Sequence, residues 1–260
     1  MPRVTDQRAN LTVLGCSPSW QNVGEACSAY LVDAPDTRLL IDCGNGAFAR
    51  LREHTDYASI DAIAITHTHG DHMLDLLPFA YALLYSPRAL EHGLRKPTLL
   101  LPPGARERIR TIFGLIDRPE LLDDAYDVVE YEAAEPVQVG SLVLEFTAVP
   151  HFVPTHAVSV RTQAGGRFVF GADHRPCDEI LGFARGADLL MLEATLLVPE
   201  TGVRGHMTSS EAAMIAQEAG VDRLVLTHMS DELPREELLA QAQAIHAATV
   251  LAEPGATYAF

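Results

Sequence analysis

His67-Thr68-His69-Gly70-Asp71-His72 is the stretch on which the reading of this chain turns. One residue, Thr66, separates it from Ala62-Ile-Ala-Ile65, a short apolar run that reads as a buried strand. Imidazole and carboxylate groups are ligands that hold zinc, iron or manganese. His67 and His69 stand two residues apart, so in an extended loop both point to one side. Gly70 lets the chain turn tightly and aim Asp71 and His72 elsewhere. One short loop can then feed two adjacent metal ions.

Working outward, the same arrangement recurs: an apolar strand ends, and at once a histidine or a carboxylate appears. It happens at Ile65/His67, Val149/His151, Phe170/Asp173, Leu192/Glu193 and Leu226/His228. Strand ends are rigid platforms for loops that carry sites. Around them, Leu11 to Leu14 reads as a first strand, and Ala29 to Asp33 with Arg38 to Asp42 as a hairpin over Ala34-Pro-Asp-Thr37. A helix follows Gly44-Asn-Gly46, and another follows His72 with Pro78 as a kink. Thr98 to Leu101 is a strand and Ala105 to Ile116 an arginine-rich helix. Ala157 to Thr162 and Arg167 to Phe170 form a second hairpin. Thr208-Ser-Ser-Glu211 resembles a capping box for a helix closed by Gly220, and a last helix spans Pro234 to about Ala248. No linker or repeat intervenes, so residues 1–260 are expected to form one domain of two similar halves, each a sheet covered by helices.

Composition narrows the function classes. No apolar run approaches the ~20 residues of a membrane span, and Met1 to Asn10 lacks the apolar stretch of a secretory signal; the expected location is the cytoplasm. Cys16, Cys27, Cys43 and Cys177 form no CxxC pair and read as small buried hydrophobes, with Cys177 closest to a candidate ligand. The formal net charge is −16 and Lys96 is the only lysine. Binding long RNA depends on many Lys/Arg–phosphate contacts, so this balance argues against a large nucleic-acid substrate. The short basic cluster Arg106, Arg108, Arg110 and Arg118 reads equally as the solvated face of a helix.

The HxHxDH pattern of residues 67–72 resembles the signature of the metallo-β-lactamase superfamily. Leu39-Leu-Ile-Asp-Cys-Gly44 is similar to that superfamily's hydrophobic-Asp-x-Gly turn, with Asp42 a buttress rather than a ligand. His151 matches its third histidine, Asp173 its bridging aspartate and His228 its last histidine. The resemblance implies an α/β four-layer αβ/βα sandwich with the metals at the edge between two sheets. It further implies that His67, His69 and His151 hold one divalent ion and Asp71, His72 and His228 the other, with Asp173 bridging. Zinc is the first expectation, and manganese or iron suits the same ligands. A homodimer is common in the branch resembled.

The finer resemblance is to ribonuclease Z-like phosphodiesterases. Gly171-Ala-Asp-His-Arg-Pro176 looks like their Gly-Asp-Thr-Arg-Pro, and Leu192-Glu-Ala-Thr195 like their His-Glu-Ala-Thr with Leu192 replacing the histidine. Gly205-His-Met-Thr208 resembles the motif of their catalytic histidine, and Thr227-His-Met-Ser230 their final Thr-His-x-Ser. The opening Val13-Leu-Gly-Cys-Ser17 is also similar to bacterial cyclic-nucleotide phosphodiesterases of the superfamily. Two departures matter. His151 and Asp173 are only 22 positions apart, leaving no room for the long tRNA-grasping arm of ribonuclease Z. Pro150 to His156 is only a loose echo of the GHTPGH pattern of lactonases and glyoxalase II relatives.

The implied chemistry is phosphodiester hydrolysis. Two metals about 3.5–4 Å apart share a hydroxide of lowered pKa that attacks phosphorus in line. Asp71, His206 and Glu193 form the catalytic set: His206 gives the departing oxygen its proton and Glu193 orients His206. His156 either lines the pocket, replaces His151, or is an ordinary hairpin histidine. His174 reads as supporting Asp173. His54, His92 and His246 read as surface residues, and Trp20 and Tyr85 as core packing or pocket walls. The expected substrate is a small, cyclic nucleotide-like phosphoester. The alternatives are ribonuclease Z-like tRNA cleavage, a lactonase or thioesterase, and, outside enzymes, a metal-binding ligand sensor.

Overall fold

Antiparallel hairpins begin each half of the chain and parallel crossovers complete it, in the computed structural model, which describes residues 8–260. Met1 to Gln7, most of the segment read for a secretion signal, lie outside the described residues. β1 (Asn10–Gly15), β2 (Ala29–Ala34) and β3 (Thr37–Ile41) pair antiparallel, the last two closing over the expected Pro35-Asp36 turn. From β3 onward β4 (Ala62–Ala64), β5 (Thr98–Leu101) and β6 (Asp127–Glu130) pair parallel. Parallel neighbours need covering crossovers. These are α1 (Ala47–His54), α2 (Gly70–Met73), α3 (Leu76–Tyr85), α4 (Pro87–His92), α5 (Ala105–Ile116) and α6 (Leu121–Ala125).

The second half repeats the plan. β7 (Val137–Val139), β8 (Leu142–Val149), β9 (Thr155–Arg161) and β10 (Arg167–Phe170) are antiparallel. β11 (Leu189–Glu193), β12 (Arg223–Thr227) and β13 (Thr249–Leu251) then run parallel, with α7 (Asp178–Ala184), α8 (Ser209–Ala219) and α9 (Arg235–Gln243) between and beside them. β14 (Thr257–Ala259) returns to the first sheet and pairs with β1, tying the end of the chain to its first strand. Each sheet has seven strands.

Three apolar layers hold this arrangement. Val13 and Ile41 of the first sheet meet Phe146, Phe168 and Val225 of the second. Ile63, Phe79, Ile109 and Tyr126 fill the space between the first sheet and its helices, and Leu190, Leu226, Ile215 and Leu238 do so on the far side. Helix, sheet, sheet, helix is the four-layer sandwich expected. β8 alternates in burial as a one-faced strand does, whereas β4 and β11 are buried along their whole length as interior parallel strands are. α8 opens with the expected Thr208/Glu211 capping box and closes on Gly220 in the left-handed region.

Some expectations are corrected. Pro78 lies in the first turn of α3, where a missing N–H costs little, and not at a kink within a longer helix. α9 stops at Gln243, short of Ala248. His246 is buried, not a surface residue: its ring nitrogens lie 3.1 Å from the Val221 carbonyl and 3.3 Å from Thr249 Oγ1. Trp20 and Tyr85 are 55% and 48% exposed, so neither packs in the core. Cys16, Cys27 and Cys43 are buried as read, but Cys177 is only partly so, at the N-cap of α7. His54 and His92 are exposed as expected. Among the described residues, no helix is long and apolar enough to cross a membrane.

Candidate metal centre

The site loops leave the carboxyl ends of six strands. Asp42 follows β3, His67 and His69 follow β4, His151 follows β8, Asp173 follows β10, Glu193 ends β11 and His228 follows β12. Among the described residues the non-glycine positions with positive φ are Asp42 (58°), Ala172 (58°) and His228 (59°), all on these loops. Such backbone costs of order 1–3 kcal/mol each and persists only where the surroundings over-determine it.

Asp42 supplies much of that determination. Its buried carboxylate accepts from the Thr66 N–H (2.9 Å), Thr66 Oγ1 (3.0 Å), Ser28 Oγ (3.2 Å) and His72 Nδ1 (2.6 Å). The turn after it carries Gly44, pressed against the ligand loop: a Cβ there would lie 1.9 Å from the Asp71 carbonyl oxygen. Gly44→Ala is therefore expected to lower stability by about 1–3 kcal/mol, as overpacking does, read as a lower midpoint in urea.

The expected ligands converge into two groups. His67 Nε2 and His151 Nε2 each lie 3.1 Å from His69 Nδ1. In the second group, His228 Nε2 is 3.1 Å from Asp71 Oδ2 and 3.4 Å from Asp173 Oδ2, while His72 Nε2 is 3.3 and 3.4 Å from the same oxygens. Asp173 Oδ2 also stands 4.0 Å from both His67 Nε2 and His151 Nε2, so it faces both groups. Within each group the candidate ligand atoms lie within 4.8 Å of one another.

The hydrogen bonds behind these rings decide what they present. A carbonyl only accepts, so His151 Nδ1 donates to Gly205 O (2.9 Å), and His72 Nδ1 likewise donates to Asp42. The Thr66 hydroxyl proton goes to Asp42, so Thr66 Oγ1 accepts from His67 Nδ1 (3.1 Å). Thr195 Oγ1 donates to Glu193 Oε2 (2.6 Å) and so accepts from His228 Nδ1 (2.8 Å). All four rings thus turn Nε2 inward, the atom a metal ion would take once it carries no proton. His72 Nε2 is fully buried without a hydrogen bond.

Electrostatics agrees. Burial holds His67 well below the ordinary imidazole range, with its histidine neighbours adding to the effect, and burial lowers His69 and His151. Burial opposes ionisation of Asp71 and Asp173, yet their contacts with His228 and His72 outweigh it and keep both carboxyls depressed. Burial likewise opposes charge on His72, but Asp173 and Asp42 hold its pKa well above the ordinary value. Low-pKa imidazoles at His67, His69 and His151 and buried carboxylates converge without a lysine or arginine, a donor set fitted to divalent cations, whereas His72 would have to give up its extra proton to bind one.

His206 stands beside both groups. Its Nδ1 donates to the wholly buried Glu193, at 2.9 and 3.0 Å from the two carboxylate oxygens. Glu193 also accepts from the His174 N–H (2.8 Å) and Thr195. Burial opposes protonation of His206, but the hydrogen bond and charge of Glu193 prevail and push its pKa up to about 9. Thr195 therefore joins His228 to the Glu193–His206 pair. Thr195→Val should cost 10- to 100-fold, roughly the effect of losing an outer partner of a metal ligand, seen in kcat/KM and in faster metal loss to a chelator.

The other expected residues lie apart from the centre. His156 is buried on β9, edge-on to Tyr131 at 5.3 Å, and belongs to neither ligand group; it does not replace His151. His174 is buried with Nδ1 on the Arg175 carbonyl and supports the centre through its backbone bond to Glu193. Leu192 lies in the apolar layer beneath α8. Thr66, and the linking role of Thr195, escaped the sequence reading; the only signal was their place beside Asp42's partners and two residues after Glu193.

Residues 37–229 match the family described as the beta-lactamase superfamily domain. An uncharacterised protein of Mycobacterium leprae is 32% identical over 248 residues, covering 90% of this chain and 82% of the relative. The probable metallo-hydrolase YhfI of Bacillus subtilis is 29% identical over 90% of this chain and 93% of its own, and its crystal structure superposes with a TM-score of 0.86 over 98% and 100%. Ribonuclease BN of Escherichia coli is 29% identical over 82% and 86%. A diphosphatase of the PhnP family shares the fold, at 23% identity and a TM-score of 0.77 over 97% of both chains. The chain belongs to the metallo-β-lactamase superfamily and is a metal-dependent hydrolase, with a ribonuclease among its relatives.

Proposed function

We propose that this hydrolase is a dinuclear phosphodiesterase acting on a small phosphoester. The observation that carries the reading is His206, locked by the buried Glu193 at the edge of both ligand groups. His67, His69 and His151 would hold one ion and Asp71, His72 and His228 the other, with Asp173 facing both; zinc is the first choice, manganese or iron the alternatives. Bound there, the ions supply Lewis acidity to a phosphoryl oxygen and make a water nucleophilic near neutral pH.

The chain's own residues do the rest. Glu193 fixes the His206 ring through Nδ1, so the imidazolium offers its Nε2 proton to the leaving oxygen. With a pKa of about 9 that proton is present at neutral pH. Asp42, Thr66 and Thr195 hold the ligand rings in one tautomer. The hairpin from β9 to β10 turns over Thr162 to Gly166 and carries no RNA-gripping arm, and the chain is strongly acidic. Both favour a small substrate, and the similar fold of a diphosphatase accords with this.

Metal-loaded protein should hydrolyse bis(p-nitrophenyl) phosphate and a cyclic nucleotide. No turnover of either would refute the reading. The similarity to ribonuclease BN supports a second one, tRNA cleavage; absence of cut product from pre-tRNA at low salt disposes of it.

A further inference from the structure

The arginine cluster of α5 divides into two. Arg106 closes on Asp123 at 2.7 Å, and Arg110 pairs with the same carboxylate. Arg108 turns the other way, and its Nη1 donates to Thr68 Oγ1 at 2.9 Å. Thr68 is the residue between His67 and His69. Among the described residues Arg108 has no carboxylate partner, and a hydroxyl does not neutralise a guanidinium. In a chain of net charge −16 this is a local reversal of sign beside the ligand loop.

A cavity of about 160 Å³ opens there, lined by Thr68, Pro102, Pro103, Gly104, Arg108 and Pro154 among others, with no acidic side chain in its wall. Pro154 comes from the loop that carries His151, so the cavity lies between two ligand-bearing segments. Whole-ligand pockets run to roughly 300–1,000 Å³, so this one takes a single group of a substrate rather than all of it. The first turn of α5 is not the attraction: the Arg106 N–H is already bonded to Glu130 Oε1 and the Ala105 N–H to the Pro102 carbonyl. The unneutralised charge is that of Arg108, whose planar fork matches a phosphate's oxygens.

We propose that Arg108 and this cavity form a subsite for a second phosphate of the substrate, a phosphomonoester remote from the diester that is cleaved. The subsite rests on the phosphodiesterase reading for its biological use, but its binding can be measured without turnover. On binding, the phosphate displaces the Thr68 hydroxyl from the guanidinium and gains charge-assisted hydrogen bonds.

The test is calorimetric titration of metal-loaded protein with thymidine 3′,5′-bisphosphate and with thymidine 5′-monophosphate. The bisphosphate should bind about 10- to 100-fold more tightly, the range of one charge-assisted contact. Arg108→Ala should collapse that ratio to near unity, Arg108→Lys should restore part of it, and Thr68→Val, which frees the guanidinium, should keep it. Equal affinity for both nucleotides in the parent protein would overturn the proposal. So would a ratio that survives Arg108→Ala, or one lost equally in Thr68→Val, which would make Arg108 a clamp on the loop. Turnover of the p-nitrophenyl ester of thymidine 5′-phosphate, followed separately, reports on the diesterase reading: its failure with the binding ratio intact would sink that reading and leave the subsite standing.

Discussion

Asp173→Asn is expected to empty the centre of metal and to abolish turnover. Its Oδ2 lies 3.4 Å from His72 Nε2 and His228 Nε2 and 4.0 Å from His67 Nε2 and His151 Nε2. Among the described residues it is the carboxylate within 4.0 Å of histidines of both groups. The amide keeps the shape but removes a full negative charge from a pocket where the carboxylate is nearly inaccessible to water. Loss of an outer partner of a ligand already costs 10- to 100-fold, in order of magnitude, in affinity or activity; loss of the shared carboxylate should exceed about 100-fold in metal affinity. Elemental analysis after gel filtration checks the metal, and circular dichroism checks that the fold remains. A variant that retained its full metal content and rate would show that Asp173 holds no ion.

His206→Ala should leave the metal content intact and lower kcat by about 10²- to 10⁴-fold, the range for loss of a positioned acid. The loss should be greatest for substrates whose leaving group is an alkoxide, such as cyclic nucleotides. It should be much smaller for bis(p-nitrophenyl) phosphate, because nitrophenolate departs without a proton. The pH profile carries a second signature. The Glu193 contact outweighs burial and raises the His206 pKa to about 9, so the acid form predominates below that value and is lost above it. Activity on alkoxide substrates should therefore fall as pH climbs through about 9, and the alanine variant should lack that limb. Equal losses on both substrate types would assign His206 a structural role instead.

The layers and the convergence of the candidate ligands were legible in the sequence for a common reason. Interior parallel strands such as Ala62–Ala64 and Leu189–Glu193 are apolar along nearly their whole length and give way abruptly to a candidate ligand or to Glu193, so pattern and chemistry coincide. β6, β7, β13 and β14 escaped notice, and all four are sheet edges. An edge strand of three or four residues with one or both faces wet carries no alternation to read: β6 and β14 have no buried residue at all. His246 looked like a surface residue because it stands alone past a helix with no partner in sequence; in the fold its ring meets a carbonyl 25 positions away, at Val221. Long-range partners of that kind leave no local trace. The same applies to Arg108, whose two neighbouring arginines share one aspartate while it alone reaches the ligand loop.

Leu192 bears on how far the family pattern can be carried. It stands where the resembled motif has histidine, yet its side chain is buried in the layer under α8. Glu193, the next residue, still reaches His206 and Thr195. The departure therefore leaves the Glu193–His206 pair assembled.

The dinuclear proposal requires two divalent ions, held by these seven residues, for turnover. Titration of chelator-stripped protein with zinc, monitored by hydrolysis of bis(p-nitrophenyl) phosphate, tests it most directly. No rate is expected without metal, and a rise that levels off at about two equivalents per chain. Undiminished hydrolysis by the stripped protein, or full rate at one equivalent, would contradict it.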